Sequence, residues 1–491
     1  MPAPVNLMNN FELGKKNFED GLSLFLEKKY NEAEIKFIES LKIVPDRITT
    51  IKNLLLIYII NENKNKISNL LINYKHLEKE TVLIFAKAYE NFFNRKYDNA
   101  IFICNLILGK LDNELEFESL GLIAKCYIEK GFFLESLKIY KKSLFKFKKK
   151  YITYSKLGNL FFELGKTAKA KIYFQKCKNL DPSDKINLWN LSLCLLKQKK
   201  LLEGFKLYEN RWSLISSESK KYQSIPELKK LKDIRGKTIL IWSEQGLGDN
   251  LLFSRFIINL LNLSKEITLQ IDGNLEIFKF LYPEINIIHS ENINNKKFDY
   301  QIPICSLPYI LGFTELENLN FKRLNIKEDI AENNKFKFEN NKLNIGLSLF
   351  GGSLRKYRSI PIKNFEELLY NKNIQFYNLS KKFKSDTSDY DSSKIIDLGD
   401  KNFMQLKDIL SHLDIIFSID TSLIHLLGTL NLKSYLLLNY NSDWRWFNDH
   451  EKTIWYPSVT IIKQNNFNNW DNVIEKVKKI IKEKIKAKLN E

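Results

Sequence analysis

Two patterns of apolar and polar residues divide this chain of 491 residues. In the first half, helical stretches follow one another, and small residues recur four positions before an aromatic residue. In the second half, from Thr238 onward, short runs rich in β-branched residues alternate with helical stretches. These patterns predict helix pairs in series, followed by strands that alternate with helices.

The small and aromatic residues of the first half repeat every 34 residues. Three consecutive copies are clear: Ser136/Tyr140, Ala170/Phe174 and Gly204/Tyr208. This is the period of the tetratricopeptide repeat, in which each copy is a pair of helices. One pair cannot bury its own apolar face, so about six pairs, degenerate at residues 46–80, are predicted to stack into a superhelix. Packing between helices accounts for the aromatic residues, and the concave surface is left for binding or dimerisation.

Ten apolar runs in the second half predict the strands of two sheets. The first sheet would contain residues 238–243, 267–271, 285–289 and 300–304. The second would contain residues 344–349, 375–379, 395–398, 415–419, 434–438 and 459–462. Continuous apolar strands separated by helices indicate parallel sheets that are covered on both faces. Two such sheets leave a cleft at the carboxyl ends of their strands, where ligands of doubly wound folds bind.

A polar segment that contains Pro226 interrupts the repeat and indicates a domain boundary. The predicted organisation is all-α and then α/β, with two Rossmann-like halves facing a cleft. Its parts are repeats at 1–215, a linker at 216–235, a first Rossmann-like half at 236–330 and a second Rossmann-like half at 343–491 with a closing helix at 468–489. That helix has apolar residues at helical spacing, from Ile474 to Leu489, with lysines between them. Packing on the second half explains the pattern, and a basic helix on a membrane surface is the alternative.

The chain carries 77 Lys and Arg against 58 Asp and Glu, a formal net charge of +19. Only nine of the 77 are Arg, and the lysines are spread along the chain, so a solvated lysine surface explains the charge and no specific nucleic-acid partner is predicted. Arginine can bind phosphate or carboxylate through two parallel hydrogen bonds, which lysine cannot do. Five arginines lie in the segments discussed here: Arg211, Arg255, Arg355, Arg358 and Arg445.

The ends and the cysteines of the chain bear on its location. The first residues lack the basic start and apolar core of a secretory signal, and no apolar run approaches the ~18 to 20 residues that span a bilayer. The five cysteines include no CxxC pair. We therefore expect a cytoplasmic protein with reduced core thiols and no metal site, with peripheral contact at the inner face of the membrane as an alternative.

The first predicted strand, at 238–243, runs into a glycine turn with a carboxylate. Gly246 and Gly248 precede Asp249, and a helix is predicted at 251–263. Because glycines let the backbone come close to a ligand at a helix start, Gly246 and Gly248 are candidate residues for binding a phosphate group. The turn is neither a dinucleotide fingerprint nor a phosphate-binding P-loop, because Leu251 stands where a third glycine belongs and no Lys-Ser/Thr pair follows. Asp249 would point into the cleft, where it could act as a base. A helix-capping role is equally open.

Two segments of the second half could bind an anion. After the strand at 344–349, a glycine-containing loop carries Ser353, Arg355 and Arg358, which could together surround an anionic group. After the strand at 415–419, a strand-to-helix turn would present hydroxyl and N–H groups to a phosphate; it contains Asp420, Thr421 and Ser422, with His425 one turn later. A capped helix with a core histidine is the alternative for this turn.

Aromatic residues accompany both anion-binding segments. Phe350 begins the glycine loop, and Trp444 and Trp446 flank Arg445 after the strand at 434–438. Such rings could stack on a base or a sugar. They could equally fill the wall of the cleft.

These motifs, in this order, resemble a family of bacterial proteins. The four motifs are EQGLGD at 244–249, DTSLIHLLG at 420–428, DWRWF at 443–447 and WYP at 455–457. Together with the last repeat they resemble proteins that join tetratricopeptide repeats to a glycosyltransferase domain related to the ADP-heptose:lipopolysaccharide heptosyltransferases (glycosyltransferase family 9).

The resemblance implies a GT-B fold with an acceptor-side first half and a donor-side second half. It implies inverting, metal-independent transfer from a nucleotide sugar, with no cofactor beyond that donor. Asp249 would be the base, and Arg358 the first choice for the leaving phosphate, ahead of Arg355 and Arg445. The diphosphate would bind to the turn and helix start that contain Asp420, Thr421, Ser422 and His425.

Two functions follow from this reading. The first is a glycosyltransferase whose repeats recruit a protein or glycan acceptor. The alternative is an inactive transferase fold that serves as a scaffold for other proteins through its repeats. The presence of Asp249 and of the 420–425 segment favours the first.

Overall fold

The structure of the protein is a computed structural model. It describes residues 4–213, 221–293, 297–314, 338–339, 341–351, 358–381, 392–447 and 451–490. The chain divides into two compact units, Met1–Leu160 and Phe161–Glu491. The second unit begins inside the predicted repeat array, and the predicted domain boundaries stay a prediction.

Residues 4–213 contain twelve α-helices in series. They are α1 (Pro4–Leu26), α2 (Tyr30–Ile43), α3 (Ile48–Ile60), α4 (Lys64–Asn73), α5 (Thr81–Phe93), α6 (Tyr97–Ile107), α7 (Asn113–Glu129), α8 (Phe133–Lys146), α9 (Lys150–Glu163), α10 (Thr167–Leu180), α11 (Lys185–Lys197) and α12 (Leu201–Tyr208). The apolar core of the first unit forms between its helices; for example, a Cβ atom on Gly21 of α1 would lie 2.8 Å from the ring of Phe37 on α2. The helices therefore pack closely where the sequence places small residues.

The backbone marks six helix pairs within this region. A three-residue turn joins the two helices of each pair, and its central residue has a positive φ. These residues recur 33 to 36 positions apart: Lys28, Glu62, Arg95, Gly131, Gly165 and Lys199. A left-handed residue ends a helix and reverses the chain within a short turn. The stretch 46–80, where the repeat pattern of the sequence is degenerate, forms the pair α3 and α4, and its apolar residues such as Ile51 and Leu55 are buried.

Two parallel sheets follow in the second unit. The first has the order β3-β2-β1-β4, with β1 (Thr238–Trp242), β2 (Glu266–Gln270), β3 (Asn286–Ile288) and β4 (Tyr300–Pro303). The second has the order β10-β9-β8-β5-β6-β7, with β5 (Leu343–Ser348), β6 (Ile374–Asn378), β7 (Ile395–Asp397), β8 (Ile415–Ile419), β9 (Ser434–Leu438) and β10 (Val459–Lys463). Each strand lies within one residue of its predicted bounds, and the predicted class, a region of serial helices followed by an α/β region with two parallel sheets, is confirmed.

Helices accompany the strands of both sheets. They are α13 (Leu247–Ser254), α14 (Leu275–Leu281), α15 (Leu307–Ile310), α16 (Glu366–Leu369), α17 (Phe403–His412), α18 (Ser422–Thr429) and α19 (Asp471–Leu489). On α19, Val473, Ile474, Val477 and Ile481 are buried against the second sheet, which is the packing that the apolar spacing indicates. In the described ranges, no helix has the length and apolar character needed to cross a bilayer. All five cysteines are buried free thiols.

The predicted helix at 251–263 was wrong in its bounds. Helix α13 begins at Leu247 and ends at Ser254, and a short 3-10 helix follows at Ile257–Leu260. The reason is local, because Gly246 takes an extended conformation and the Asp249 carboxylate accepts a hydrogen bond from its N–H group over 3.2 Å. The glycine turn is thus the first turn of the helix.

Candidate functional site

Helices α13 and α18 meet at their first turns. α13 follows β1 of the first sheet and α18 follows β8 of the second, so both begin at the carboxyl end of a parallel strand. A Cβ atom on Gly248 would lie 3.0 Å from Cδ2 of His425 and 3.4 Å from Cα of Ser422. The missing side chain at Gly248 lets the helices touch. This contact brings the carboxylate of the glycine turn and the turn at 420–422 into one place.

Asp249 is the third residue of α13 and has two partners. One carboxylate oxygen, Oδ2, accepts the Gly246 N–H at 3.2 Å, and the other, Oδ1, forms an ion pair with Arg445 of the second half. The side chain is 20% exposed. Asp249 therefore caps its own helix, links the two Rossmann-like halves and remains partly exposed.

Arg445 is held between two carboxylates. Besides Asp249, it donates from Nη1 to Asp443 over 2.6 Å, and its carbonyl oxygen accepts a hydrogen bond from Trp455 Nε1 over 2.6 Å. Burial would lower the pKa of Arg445, but the charges of Asp249 and Asp443 outweigh it and hold that pKa well above its usual range. The guanidinium therefore stays charged and lies on the carboxylate of Asp249.

Arg358 lies beside the turn that precedes α18. Its Nη1 donates to the carbonyl oxygen of Asp420 over 2.9 Å. Its Nε is buried and has no hydrogen-bond partner in the described part of the chain. Gly351 makes room for it, since a Cβ atom there would lie 2.6 Å from Nε. Arg358 is thus fixed next to the start of α18 with hydrogen-bonding capacity in reserve. Ser353 and Arg355, predicted for the same cradle, lie outside the described residues.

The start of α18 presents polar groups at the surface. Thr421 is the N-cap residue, and its side chain does not cap the helix; its Oγ1 lies 3.4 Å from Ser418 Oγ instead. Ser422, the first helical residue, is exposed. Unpaired N–H groups and the positive end of the helix dipole favour an anion at such a position.

His425 lies in the core beneath this turn. It is 4% exposed, its Nδ1 lies 3.0 Å from the Tyr456 hydroxyl, and its ring stacks on that of Trp446 at 5.1 Å. Burial, followed by the charge of Arg445, lowers the pKa of His425 to about 3. The ring is therefore neutral near pH 7, and its surroundings are those of a core histidine, although no side chain caps the helix.

Two of the three aromatic candidates are buried in the protein, and the third is half-buried. Trp444 is 2% exposed and Trp446 is 0% exposed, while Phe350 is half-buried beside the core of the second sheet. The ring of Trp444 packs against those of Phe205 and Tyr208, at 5.8 and 6.0 Å. Both tryptophans are core residues in this structure, because they are buried and pack against aromatic neighbours.

A buried ion pair next to the site was not predicted. Nε and Nη2 of Arg211 donate to the two carboxylate oxygens of Glu244, at 2.8 and 2.7 Å. Arg211 is 1% exposed and Glu244 is 0% exposed at their side chains. The sequence marked Arg211 as informative, but nothing in it paired this residue with Glu244. The described residues contain no group of three or more His, Cys, Asp and Glu able to hold a metal ion.

No protein-family model matches the chain. One curated relative, Protein FlbA of Caulobacter vibrioides, is 23% identical over 320 residues, which cover 58% of this chain. The chain matches about half, 52%, of the length of that relative.

Solved structures of two kinds are similar to this chain. A thermophilic TPR protein of Thermus thermophilus is 15% identical, with coverage of 37% of this chain and 99% of that one and a TM-score of 0.33. E. coli heptosyltransferase WaaC with ADP is 10% identical, with coverage of 50% and 99% and a TM-score of 0.36. E. coli ADP-heptose lps heptosyltransferase II is 13% identical, with coverage of 50% and 99% and a TM-score of 0.37. These are the two kinds of protein that the sequence resembles.

Proposed function

We propose that this protein transfers a sugar from a nucleotide-sugar donor to a hydroxyl group of a protein or glycan acceptor. The observation that carries the proposal is the contact between the first turns of α13 and α18. It combines a partly exposed carboxylate, Asp249, with a polar helix start and a neighbouring arginine, Arg358. Glycosyl transfer needs a base on one side of the anomeric carbon and positive charge on the other.

The donor diphosphate would bind at the start of α18. The N–H groups of the helix start and the hydroxyls of Thr421 and Ser422 would surround it, and Arg358 would add a full positive charge. The Asp420 carbonyl oxygen fixes the direction of that guanidinium. Fixed positive charge of this kind would do the work of a divalent cation, so we expect transfer to persist in excess chelator.

Asp249 would take the proton of the acceptor. A carboxylate has about four acceptor positions, and Gly246 and Arg445 use one on each oxygen. An acceptor hydroxyl could bind to a remaining position through the exposed side. Its oxygen would form a bond to the anomeric carbon as the bond to the diphosphate breaks, with the electron pair leaving on the phosphate oxygen and the proton passing to Asp249. Attack from the face opposite the diphosphate inverts the configuration.

The helical repeats would recruit the acceptor or a partner protein. Stacked helix pairs form extended surfaces and carry no chemistry of their own. One observation favours the alternative of an inactive scaffold, because the Asp249 carboxylate is already paired with Arg445.

Calorimetric titration with UDP, ADP and GDP sugars tests the donor side. We expect the parent protein to bind at least one of them, and Arg358→Gln to weaken that binding at least ~10-fold, about what one charge-assisted hydrogen bond contributes. Arg235→Gln is the matched control, because Arg235 is exposed. Failure of the parent to bind any nucleotide sugar would support the scaffold.

Transfer assays test the base. Asp249→Asn should retain donor binding and lose transfer, because the amide cannot accept the proton. Unchanged transfer by Asp249→Asn would exclude this residue as the base.

A further inference from the structure

The last helix pair of the repeats contacts both walls of the candidate site: the glycine turn that carries Asp249, and the loop after β9 that carries Arg445. We infer that α11 and α12 hold these walls in register, with Lys197 and Tyr208 as positioning residues. The inference rests on the proposed function for what the site does. The contacts that support it lie within the unit Phe161–Glu491.

Lys197 fixes the loop of the second half that follows β9. Its Nζ donates to Asn441 Oδ1 over 2.8 Å and to the carbonyl oxygen of Ser442 over 2.6 Å. Lys197 is 2% exposed, and a buried ammonium group is tolerated only where it is well hydrogen-bonded. Gly165 adds to this contact, since a Cβ atom there would lie 3.3 Å from the ring of Tyr440. The loop is thus held by the end of α11 and by the turn that contains Gly165.

The same loop carries the partner of the proposed base. Asp443 follows Ser442 directly, and its carboxylate accepts from Nη1 of Arg445 over 2.6 Å. Arg445 in turn pairs with Asp249. Lys197 therefore acts on Asp249 through one short loop and one guanidinium group. A shift of the loop would move the carboxylate relative to the start of α18.

Tyr208 touches the opposite wall. Its hydroxyl accepts a hydrogen bond from Gln245 Nε2 over 3.1 Å. Gln245 has a φ of 58°, a left-handed conformation that a non-glycine residue rarely adopts, and it precedes the glycine turn directly. The ring of Tyr208 also packs on Trp444 at 6.0 Å. One side chain thus contacts the glycine turn of the first half and the loop of the second.

Apolar packing joins the same three parts. Phe205 of α12 lies 6.3 Å from the ring of Phe253 on α13 and 5.8 Å from the ring of Trp444. The apolar core of the second unit includes residues of α11, α12, both sheets and α18. Close-packed cores transmit displacement, so the final helix pair is built into the site.

Amide hydrogen exchange on the 491-residue chain tests the contacts. Lys197→Met keeps the apolar stem and removes the ammonium group, and Lys185→Met is the matched control because Lys185 is exposed on the same helix. We expect Lys197→Met to speed exchange at least ~10-fold in residues 439–447 and in residues 244–250. Tyr208→Phe, which removes only the hydroxyl, should speed exchange in residues 244–250. Exchange that stays unchanged in both segments for both variants would overturn the inference.

Steady-state kinetics test the consequence for transfer. Lys197→Met should lower kcat at least ~10-fold, because a displacement of about 1 Å at a reacting group can cost about 100-fold. The KM for the donor should change less than ~2-fold, because Arg358 and the start of α18 are not touched. A variant that loses donor affinity at unchanged kcat would overturn the positioning role. If the parent transfers no sugar, the proposed function fails, and the exchange measurement still decides the inference.

Discussion

Replacing Arg211 with Met should strongly destabilise the second unit. Its guanidinium makes two hydrogen bonds to Glu244, one of 2.8 Å to Glu209 and one of 2.7 Å to Ser306. Burial would lower the pKa of Arg211, but the charges of Glu244 and then Glu209 outweigh it and raise that pKa, so the side chain stays charged. The substitution leaves the Glu244 carboxylate buried without its cation. Breaking a buried pair in this way costs about 3–5 kcal/mol.

Tryptophan fluorescence during denaturation with urea measures this loss in the right part of the molecule. All seven tryptophans lie in Phe161–Glu491, so unfolding of the first unit does not contribute to the signal. Arg235→Met is the matched control, since an exposed arginine should change the free energy of unfolding by less than about 0.5 kcal/mol.

A double variant separates the buried charge from lost packing. Glu244→Gln removes the charge that Arg211→Met leaves behind, so Arg211→Met with Glu244→Gln should be more stable than Arg211→Met alone. A structural role for the buried pair is excluded if Arg211→Met loses less than about 1 kcal/mol of unfolding free energy, against about 3–5 kcal/mol expected for a broken buried pair. A coupling between the two charges is also excluded if the two single losses simply add.

Two further changes test the contact between α13 and α18. Gly248→Ala should lower the free energy of unfolding by about 1–3 kcal/mol, because the new Cβ would lie 3.0 Å from a His425 ring that is fixed by Tyr456. The control Gly246→Ala should be close to neutral, because its Cβ would meet only Asp249 Oδ2, at 3.5 Å. Equal urea midpoints for the two variants would contradict this expectation. The pKa of His425 is about 3 in the folded state and about 6.5 in the unfolded state. Its contribution to the free energy of unfolding is therefore complete above pH 6.5 and is lost as the pH falls towards 3, with about 2 kcal/mol lost at pH 5. His425→Gln should lack this part of the pH dependence, and an identical slope of unfolding free energy against pH in the two proteins would show that the ring is not responsible.

The strands and the repeats could be predicted because their signals are local. A buried parallel strand such as β8 leaves a continuous apolar run, and a helix pair leaves a small residue at a fixed spacing from an aromatic one. The start of α13 was missed because glycines usually indicate a loop. Here the extended Gly246 and the carboxylate of Asp249 begin a helix at that point.

The contacts of the site could be predicted only in part, because they join distant positions. The sequence singled out Asp249 and Arg445, but their pairing spans 196 positions and has no sequence signal. Burial was equally hidden, since a histidine one turn into a helix can face either the solvent or the core. The role of Lys197 could not be predicted for a different reason, because lysines occur throughout the chain and nothing distinguishes this one.

A crystal structure of the protein with a bound nucleoside diphosphate sugar would show directly where the donor lies. The proposed function requires the diphosphate oxygens to lie within hydrogen-bond distance of the Arg358 guanidinium and of the first N–H groups of α18, with the anomeric carbon facing the Asp249 carboxylate. A diphosphate bound elsewhere, or an anomeric carbon turned away from Asp249, would contradict it.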